Sequence, residues 1–406
     1  MRVLLLAPHP YYQVRGTPID VDLLVRMLSE RGDTVDLLVY HEGEDVAYPG
    51  VTLHRIPHLP FVRGIRPGPS WKKLVCDAVF FWCAIRLAIR LRPQLIHAVE
   101  EAAIMARAIR AFGGPPYIYD MDSWLSEQTE VKYPALAWLF RPLRWAERWV
   151  CRGAEVVVPV CDALGTVARR AGARRVTVLR DISLLSFEAF SEGARRDLEP
   201  ERSTGAPVVM YVGNLERYQG VDLLLESFAL AHREVPEARL IIIGGKCEEI
   251  KAYVRRVAAL GLEGTVRFLG PRPVELLGAY LRLADVLVSP RISGSNTPMK
   301  LFSYLESGTA VLATDLSTHT QAISQTVALL CAPQPAPFAK GLVWLLRDPA
   351  LRVGLGEAAK RLVAERHSLE VFRKTVRELC EHLEWFVGSP TLDTSDAPSK
   401  GGAAAR

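Results

Sequence analysis

The chain has 406 residues, and because a domain typically takes roughly 100–200 residues, this length favours two domains over one. Hydrophobic residues make up 49% and charged residues 23% of the chain, which argues against disorder or coiled coil as its dominant state. The net charge of +5 is too small for a dedicated nucleic-acid-binding protein. We therefore expect a folded, two-domain chain with no nucleic-acid partner.

The seven cysteines are scattered, with no CxxC pair and no histidine at metal-ligand spacing. This pattern fits a reducing, cytoplasmic location without a cysteine-based metal site. The apolar run that follows Met1 is too short for a signal peptide. The longest apolar stretch, Ala78–Ile85, has less than half of the roughly 20 residues that a membrane-spanning helix needs, so we expect no transmembrane segment.

The first half of the chain alternates short β-rich runs with segments of helical periodicity, such as Pro18–Arg31. This alternation predicts a parallel sheet with helices on both faces. The predicted strands are Val3–Ala7, Val35–Tyr40, Leu95–Ala98, Tyr117–Tyr119, Val156–Val160 and Val176–Leu179.

The pattern restarts after the polar, turn-rich segment RRDLEPERSTGAP at residues 195–207. The predicted strands of the second half are Val208–Val212, Leu240–Ile243, Val266–Leu269, Val286–Val288, Ala310–Ala313 and Val327–Leu330. We expect two facing, doubly wound, Rossmann-like α/β domains, at residues 1–195 and 206–387, with a cleft between the carboxyl ends of their strands. The last helices could pack back on the first domain, and residues 388–406 are expected to be a disordered tail.

The loop after the first predicted strand contains Gly16, which allows a ligand to approach the N-terminus of the next helix closely. A simple turn is an equally good explanation of this glycine. The chain contains neither GxGxxG nor GxxxxGK[ST], so it lacks the fingerprints of dinucleotide-binding enzymes and P-loop NTPases.

Glycines follow three successive strands of the second half, at Gly213, at Gly244 and Gly245, and at Gly270, and Gly220 closes the loop after the first of them. In a parallel sheet these strand ends share one edge. Backbone amides at that edge can bind phosphates and a base. Turn geometry alone explains one or two of these glycines.

The segment SPRISGSNTPMK leads from a predicted strand into a helix that we expect to begin near Pro298. Free backbone amides at this helix N-terminus suit an anion. The candidate binding residues of the segment are Asn296, Thr297, Pro298 and Met299. Lys300 is unfavourable to the helix dipole in a first turn, so we interpret it as neutralising a bound diphosphate. The alternative is a solvated surface lysine.

From Met1 to about Phe386, the chain resembles the retaining nucleotide-sugar glycosyltransferases of family 4, which have the GT-B fold. The motifs YVGNLERYQGVDLLLESF, LIIIGGKCEE, VRFLGPRP and ADVLVSPRISGSNTPMKLFSYLESGTAVLATD carry the resemblance, together with the amino-terminal MRVLLLAPHP and RGTPIDVDLLVRMLSERGDTVDLLVY. The resemblance implies a donor diphosphate bound by the second domain, an acceptor bound by the first, and retention of the anomeric configuration. It also implies that no metal or other cofactor is required.

The chain departs from this family at several positions. The family usually has an Arg where this chain has Asn214 and a Lys where it has Gln219. Arg217 and Lys300 could supply the missing charges, because a long cationic side chain need only reach the same oxygens. The family's paired glutamates align with Ser295 and Ser303. Glu306, on the same helical face as Ser303, either takes over the contact with the ribose hydroxyls or is a surface residue.

Three side chains stand at predicted strand ends of the first domain, where many members of the family have a His near the reacting sugar. They are His97, Asp120 and Asp122. A carboxylate there could accept the acceptor proton or bind a hydroxyl of the donor sugar. The alternatives are a buried structural histidine and two helix-capping aspartates.

Residues 61–92 combine seven basic side chains with one acidic side chain, Asp77, and several aromatic ones. The basic residues are Arg63, Arg66, Lys72, Lys73, Arg86, Arg90 and Arg92, and the aromatic residues include Trp71, Phe80, Phe81 and Trp82. Such a helix suits an anionic membrane surface, although aromatics in the core and a solvated basic face would give the same composition.

These observations predict a hexosyltransferase-class enzyme that uses a nucleotide-diphosphate sugar and a glycan or lipid-linked acceptor at the inner face of the cell membrane. Two other readings remain open. A nucleotide-sugar epimerase on the same fold would need no second substrate. A non-catalytic subunit would explain the loss of the glutamates at Ser295 and Ser303.

Overall fold

The computed structural model describes residues 1–12, 16–65, 70–124, 126, 141–183, 185, 192–294 and 297–388. Within these residues, strands and helices alternate in both halves of the chain. The predicted tail beyond Gly388, and the candidate residues Arg66, Ser295 and Asn296, lie outside them.

The first half forms a parallel sheet between two helical layers. Its strands are β1 (Arg2–Leu6), β2 (Thr34–Val39), β3 (Val51–Arg55), β4 (Leu95–Val99), β5 (Tyr117–Met121) and β6 (Val156–Pro159). Its helices are α1 (Gly16–Glu30), α2 (Trp71–Leu91), α3 (Ala102–Ala111), α4 (Arg141–Gly153) and α5 (Asp162–Ala171). The strand order is β3-β2-β1-β4-β5-β6. Leu4 packs on one face with Phe80 of α2, and Leu5 on the other with Leu24 of α1, which is why helices must cover both faces.

The second half repeats this architecture. Its strands are β7 (Val208–Val212), β8 (Arg239–Ile243), β9 (Val266–Gly270), β10 (Val286–Ser289), β11 (Ala310–Thr314) and β12 (Leu329–Cys331), in the order β12-β11-β10-β7-β8-β9. Its helices are α6 (Glu192–Arg202), α7 (Val221–Glu234), α8 (Cys247–Ala259), α9 (Val274–Leu283), α10 (Lys300–Ser307), α11 (Ser317–Thr320), α12 (Pro335–Arg347), α13 (Pro349–Arg366) and α14 (Leu369–Gly388). The predicted fold class, two parallel doubly wound sheets, is confirmed.

Two strand predictions in the first half need correction. The edge strand β3 was not predicted, because its sequence VTLHR carries polar side chains and none of its residues is fully buried. Conversely, Val176–Leu179 is not a strand of the sheet: Val176 makes one isolated bridge to Val157. Edge positions receive hydrogen bonds from one side only, so the local pattern there is weak.

The predicted linker at residues 195–207 is largely helical. Helix α6 packs Leu198 into the core of the second half, next to Ile241 and Tyr280. Glu201 forms an ion pair with Arg267 at 2.5 Å, so the polar residues that indicated a linker are partners of the second sheet. The predicted boundary at residue 206 therefore lies too late, because the second half already begins with α6.

The final helix α14 returns to the first half. Phe372 and Leu379 are buried with Leu24 of α1, and Glu384 forms an ion pair with Arg31 at 2.9 Å. The two halves also meet at the carboxyl ends of their strands. Cys161, which follows β6, lies 4.0 Å from the Oε1 atom of Gln321, so residues at these strand ends can act on one substrate pair.

Candidate active site

Three glycine-containing strand ends meet at the carboxyl edge of the second sheet, as the sequence predicts. The N–H of Gly213 donates to Ile243, and the N–H of Gly244 donates to Gly270, both at 2.9 Å. A Cβ on Gly244 would lie 2.2 Å from the carbonyl oxygen of Gly213. Gly244 also has a φ of +109°, so both the close approach of the Gly213 backbone and the backbone conformation exclude a side chain there.

The other candidate glycines have packing roles. A Cβ on Gly220 would lie 1.9 Å from the carbonyl oxygen of Pro290, and one on Gly245 would lie 2.4 Å from the Leu215 side chain. Gly220 thus lets the N-terminus of α7 approach the end of β10. Gly16 is the first residue of α1.

Lys300 is the first residue of α10, and its ammonium group faces the glycine edge. The helix begins two residues after Pro298, close to the predicted start; Met299 precedes it, and no side chain caps it. The Nζ atom lies 3.9 Å from the ring centroid of Tyr211 and 3.1 Å from the position of a Cβ on Gly213. Burial, followed by the nearby Arg291, lowers the pKa of Lys300 well below its usual value. These contacts differ from those of a solvated surface lysine.

Gln219 directly contacts Lys300. Its Oε1 accepts a hydrogen bond from the Lys300 ammonium group at 3.2 Å, and the residue is 6% exposed. At the position where the family usually has a Lys, the chain therefore places a neutral side chain in contact with Lys300.

Arg291 is a second cation at this position, and the sequence analysis missed it. It follows β10, is 9% exposed, and its guanidinium lies 5.1 Å from the ring centroid of Tyr218. It is close enough to Lys300 to lower the pKa of that residue. A basic residue two positions beyond a buried parallel strand was the signal in the sequence that could have identified it.

Arg217 and Asn214 lie in the loop after β7 and are both exposed. Among the described residues, Arg217 forms no ion pair, and the carbonyl oxygen of Asn214 accepts a hydrogen bond from Tyr211 at 2.6 Å. Arg291 is therefore better placed than Arg217 to accompany Lys300.

A buried polar network holds both the backbone and the side chain of Arg291. The Thr314 hydroxyl donates to the Arg291 carbonyl oxygen at 2.6 Å, and Arg291 donates to the hydroxyl of Thr318 at 2.9 Å. His319 is fully buried, with Nε2 2.8 Å from the Ser289 hydroxyl. Burial lowers the pKa of His319 to about 4, with Arg291 and Lys300 acting in the same direction. His319 is thus neutral at physiological pH and adds no charge.

Glu306 and Ser303 lie together beside Ser183, which comes from the first half of the chain. The Ser183 hydroxyl donates to Ser303 at 3.0 Å. Burial raises the pKa of Glu306, opposed by a hydrogen bond from Ser183. The Oε2 atom of Glu306 is buried and has no hydrogen-bond partner in the described part of the chain. Such an oxygen is costly unless a ligand donor satisfies it.

The remaining candidates of this segment support α10. The Thr297 hydroxyl accepts a hydrogen bond from Gln321 at 2.7 Å. The carbonyl oxygens of Pro298 and Met299 accept from Leu301 and Phe302.

In the first half, His97 and Asp120 form a pair at neighbouring strand positions. The Nε2 atom of His97 lies 3.0 Å from a carboxylate oxygen of Asp120. His97 is 3% exposed, so its ring is held in place by this contact and by the sheet.

Asp122 belongs to a carboxyl-lined pocket at the carboxyl edge of the first sheet. The pocket is lined by Asp20, Asp120, Asp122 and Asp181, with Thr17 and Phe372 among the other residues. Burial, Asp120 and Asp181 raise the pKa of Asp122, opposed by a hydrogen bond from Thr17. Burial and Asp120 raise the pKa of Asp181 to about 7. Some of these groups are therefore protonated near neutral pH.

The sequence analysis named neither Asp20 nor Asp181 as a site residue, because they come from separate segments that only the fold brings together. Burial, followed by the charges of Asp181, Asp122 and Asp120, raises the pKa of Asp20 well above its usual value. Within the residues that the structure describes, no group of three or more His, Cys, Asp or Glu side chains has the arrangement of a metal site.

Two family models match the two halves of the chain. The model described as "Glycosyl transferase 4-like domain" covers residues 15–180, and the model described as "Glycosyl transferases group 1" covers residues 196–362. The chain belongs to the family 4 glycosyltransferases. The resemblance found in the sequence is confirmed, and this class consists of transferases.

Curated relatives of this family 4 glycosyltransferase include D-inositol 3-phosphate glycosyltransferases. That of Nocardiopsis dassonvillei is 25% identical over 370 residues, or 85% of this chain and 84% of the relative. That of Corynebacterium urealyticum is 30% identical over 254 residues, or 59% of each protein. A phosphatidyl-myo-inositol mannosyltransferase of Mycobacterium tuberculosis is 28% identical over 188 residues, or 44% of this chain and 48% of the relative. The match thus spans about half the length of several of these relatives.

Solved structures share the fold along nearly the whole chain. A sucrose-phosphate synthase of Thermosynechococcus elongatus has a TM-score of 0.75 and 20% identity, and covers 95% of this chain and 99% of its own. HepE of Anabaena, in complex with UDP, has a TM-score of 0.73 and 16% identity, and covers 94% of this chain and 100% of its own. Both support the GT-B architecture of two facing Rossmann-like domains.

Replacing His319 by Gln tests the network behind Arg291. The pKa of His319 is about 4 in the folded chain and about 6.5 in an unfolded one. Protonation therefore favours unfolding, and the stability contributed above pH 6.5 is lost as the pH falls towards 4. The free energy of unfolding should decline more steeply over this range in the wild type than in His319→Gln.

Chemical denaturation at a series of pH values measures this difference. The control is His58→Gln, at an exposed histidine of the first half, which should keep the wild-type slope. Equal slopes in the wild type and His319→Gln would show that His319 does not titrate in the stated range.

Proposed function

We propose that this chain transfers a hexosyl group from a nucleotide-diphosphate sugar to an acceptor hydroxyl, with retention of the anomeric configuration and without a metal or other cofactor. The observation that carries the proposal is the position of Lys300 and Arg291. Two cations lie beside a glycine-lined strand edge, and Lys300 has no carboxylate partner in the described residues.

The leaving group would be the nucleotide diphosphate. Lys300 and Arg291 would bind its oxygens and stabilise the charge that develops as the glycosidic bond breaks. Gly213 and Gly244 carry no side chains, so none of theirs would separate a phosphate from the Lys300 ammonium group, which lies 3.1 Å from the position of a Cβ on Gly213. Because Lys300 has a lowered pKa, a bound diphosphate would also raise that pKa and keep the ammonium charged.

The ribose of the donor would lie at Glu306. Its unpartnered Oε2 can accept hydrogen bonds from ribose hydroxyls, a role that the resemblance assigns to a glutamate at the position of Ser303. This supports an active enzyme over a non-catalytic subunit, because the lost carboxylate has a replacement one turn along the helix.

The acceptor hydroxyl would lie at the carboxyl-lined pocket. Asp120, oriented by His97, would accept the proton of the attacking hydroxyl, and Asp122 could do so in its ionised form. The four aspartates would repel a phosphate group. If the acceptor is phosphorylated, as the names of the curated relatives indicate for theirs, its phosphate would have to lie outside this pocket.

The acceptor would be a glycan or a lipid-linked molecule at the inner face of the cell membrane. Helix α2 buries Cys76 and Phe80 but exposes a second apolar stripe. Trp71, Trp82 and Ile89 are 62%, 61% and 72% exposed, respectively. They share one side of the helix at spacings of 11 and 7 residues. The basic side chains of Arg86 and Arg90, exposed beside the stripe, would attract anionic headgroups.

The expected membrane contribution of Lys73 needs correction, because this residue forms an ion pair with Glu101. Phe80 is core, as the alternative interpretation held, whereas Trp71 and Trp82 are not. No helix among the described residues is long and apolar enough to cross a bilayer. The proposal is therefore attachment by one exposed helix face.

The proposed activity is tested by incubating the protein with labelled nucleotide sugars and a membrane lipid extract. The wild type should transfer the labelled sugar to lipid, and Lys300→Gln should transfer much less of it. The variant should also weaken binding of the nucleotide diphosphate roughly tenfold or more while leaving nucleoside binding almost unchanged. Arg255→Gln, at an exposed arginine of helix α8, is the matched control and should resemble the wild type.

Other outcomes have distinct meanings in this experiment. Interconversion of the sugar without lipid would indicate an epimerase, and binding without turnover would indicate a non-catalytic subunit. Equal losses of nucleotide and nucleoside affinity in Lys300→Gln would contradict the diphosphate contact.

Asp120→Asn and Asp122→Asn test the acceptor side. If a carboxylate accepts the proton, kcat should fall by about 100-fold or more in at least one variant, with the fold intact. The control is Asp348→Ala. The Asp348 side chain caps the N-terminus of α13 by accepting a hydrogen bond from the N–H of Leu351, and the variant removes this cap. It should lose about 1 kcal/mol of stability and keep its kcat. Unchanged kcat in both aspartate variants would exclude the proposed base.

Membrane attachment is tested by sedimentation with vesicles. Replacing Arg63, Lys72, Arg86 and Arg90 by Gln should nearly abolish binding to anionic vesicles, because each basic residue near the surface contributes about 1 kcal/mol. Binding should weaken at high salt. Activity on a soluble acceptor should survive, since the donor site lies in the other half of the chain.

The matched control replaces four exposed arginines of the second half by Gln: Arg233, Arg255, Arg282 and Arg361. It changes the net charge equally and should leave binding unchanged. Equal binding of the wild type to neutral and anionic vesicles would overturn the electrostatic part of the proposal.

A further inference from the structure

A second pocket of the first half lies at the edge of the sheet opposite to the active site. It is formed where α3 and α4 end and where β6 begins. Its lining includes Arg107, Arg110, Trp149, Arg152, Glu155 and Arg174. The carboxyl-lined pocket is built from residues beyond the carboxyl ends of the strands, so the two sites occupy opposite edges of one sheet.

Arg107 is held in this pocket by an aromatic ring rather than by an acid. Its guanidinium carbon lies 4.5 Å from the ring centroid of Trp149. The Nε atom is buried and has no hydrogen-bond partner among the described residues. A buried N–H of a cation is costly unless an acceptor satisfies it, so this atom indicates that an acceptor from outside the chain binds here.

The positive charge of the pocket is poorly compensated. Glu155 is the only acidic residue in the lining, and it forms an ion pair with Arg174 at 3.8 Å. Arg110 donates to the carbonyl oxygen of Gly114 at 2.9 Å, which leaves its charge without a carboxylate. Arg107 and Arg152 form no ion pair in the part of the chain that the structure describes. Four guanidinium groups in one concave site raise the local potential for an anion.

Two glycines make room for these arginines. A Cβ on Gly153 would lie 2.3 Å from the Nε atom of Arg107, and a Cβ on Gly172 would lie 3.0 Å from that of Arg152. A side chain at residue 153 would therefore displace Arg107 from its place. At both positions the absence of a side chain leaves the space that an arginine side chain occupies.

We propose that this pocket binds a phosphate-bearing ligand through Arg107, Arg152 and Arg174, at a site separate from the active site. Guanidinium groups bind phosphate oxygens in pairs, which matches several arginines converging on one cavity. Trp149 keeps the fork of Arg107 in a fixed orientation, so less conformational entropy is lost on binding. The proposal does not depend on the proposed transfer reaction.

The phosphate could belong to a soluble molecule or to a lipid headgroup. Helix α3, which carries Arg107 and Arg110, packs between α2 and α4, and α2 carries the exposed apolar stripe. A headgroup could therefore reach the pocket from a membrane contacted by α2. Both sources share the same phosphate chemistry and can be separated by experiment.

Binding is measured on the full chain carrying Lys300→Gln, which removes the proposed diphosphate contact of the donor site, by calorimetry with inorganic pyrophosphate, and on the wild-type chain by sedimentation with vesicles that contain phosphatidic acid. Arg107→Gln and Arg152→Gln should each weaken binding by about tenfold or more. Arg255→Gln, at an exposed arginine of the other half, is the charge-matched control and should bind as the wild type does. Lys300→Gln should retain binding at this pocket, which separates it from the donor site.

Each outcome decides between the alternatives. Pyrophosphate binding that is lost in Arg107→Gln and Arg152→Gln supports the site with a soluble ligand. Vesicle binding that is lost in the same variants, without pyrophosphate binding, supports the site with a lipid headgroup. The proposal is overturned if neither probe binds, or if both variants bind as tightly as Arg255→Gln. Because Arg152 is not stacked on Trp149, its variant keeps the test valid if Arg107→Gln fails to fold.

Discussion

Every strand within each sheet runs in the same direction, and this constraint determines where chemistry can occur. A parallel strand brings its last residue to the same edge as its neighbours, so residues far apart in sequence become adjacent there. Gly213, Gly244 and Gly270 meet in this way. On the other sheet, His97 in the middle of β4 and Asp120 near the end of β5 lie on neighbouring strands and contact each other. The contact between Cys161 and Gln321 joins the two edges.

The two edges carry opposite charges. The second sheet presents Lys300 and Arg291, held by aromatic rings, an amide and hydroxyls, whereas the first presents several carboxyl groups. Cations at this edge can stabilise a departing diphosphate, and carboxylates at the other can accept a proton from a hydroxyl. Had the cations been paired with those carboxylates, both sets would be neutralised and neither could act. The separation of the two edges therefore supports transfer between two substrates.

Much of this arrangement follows from the sequence, because the alternation of strands with helices and the glycines after the strands are local patterns. The missing parts depend on long-range contacts. Arg291 looks like any loop arginine until Thr314 and Thr318 fix it. Asp181 lines the pocket because the chain returns to this edge of the sheet after α5. The prediction of a linker at residues 195–207 was wrong because charged residues there, such as Glu201, form ion pairs with the second sheet.

Outside the active site, basic side chains occur in two different surroundings: on the exposed face of α2 and in the arginine-lined pocket beside α3. On α2, basic side chains lie beside exposed apolar ones, a combination that suits a broad surface such as a membrane. At the end of α3, Arg107 lies in a concave site against Trp149, with a buried and unsatisfied N–H. Diffuse attraction to a surface would not require that geometry, since a solvated arginine serves equally well. A half-buried guanidinium held over a ring is instead suited to a ligand that enters the pocket and bonds to it directly.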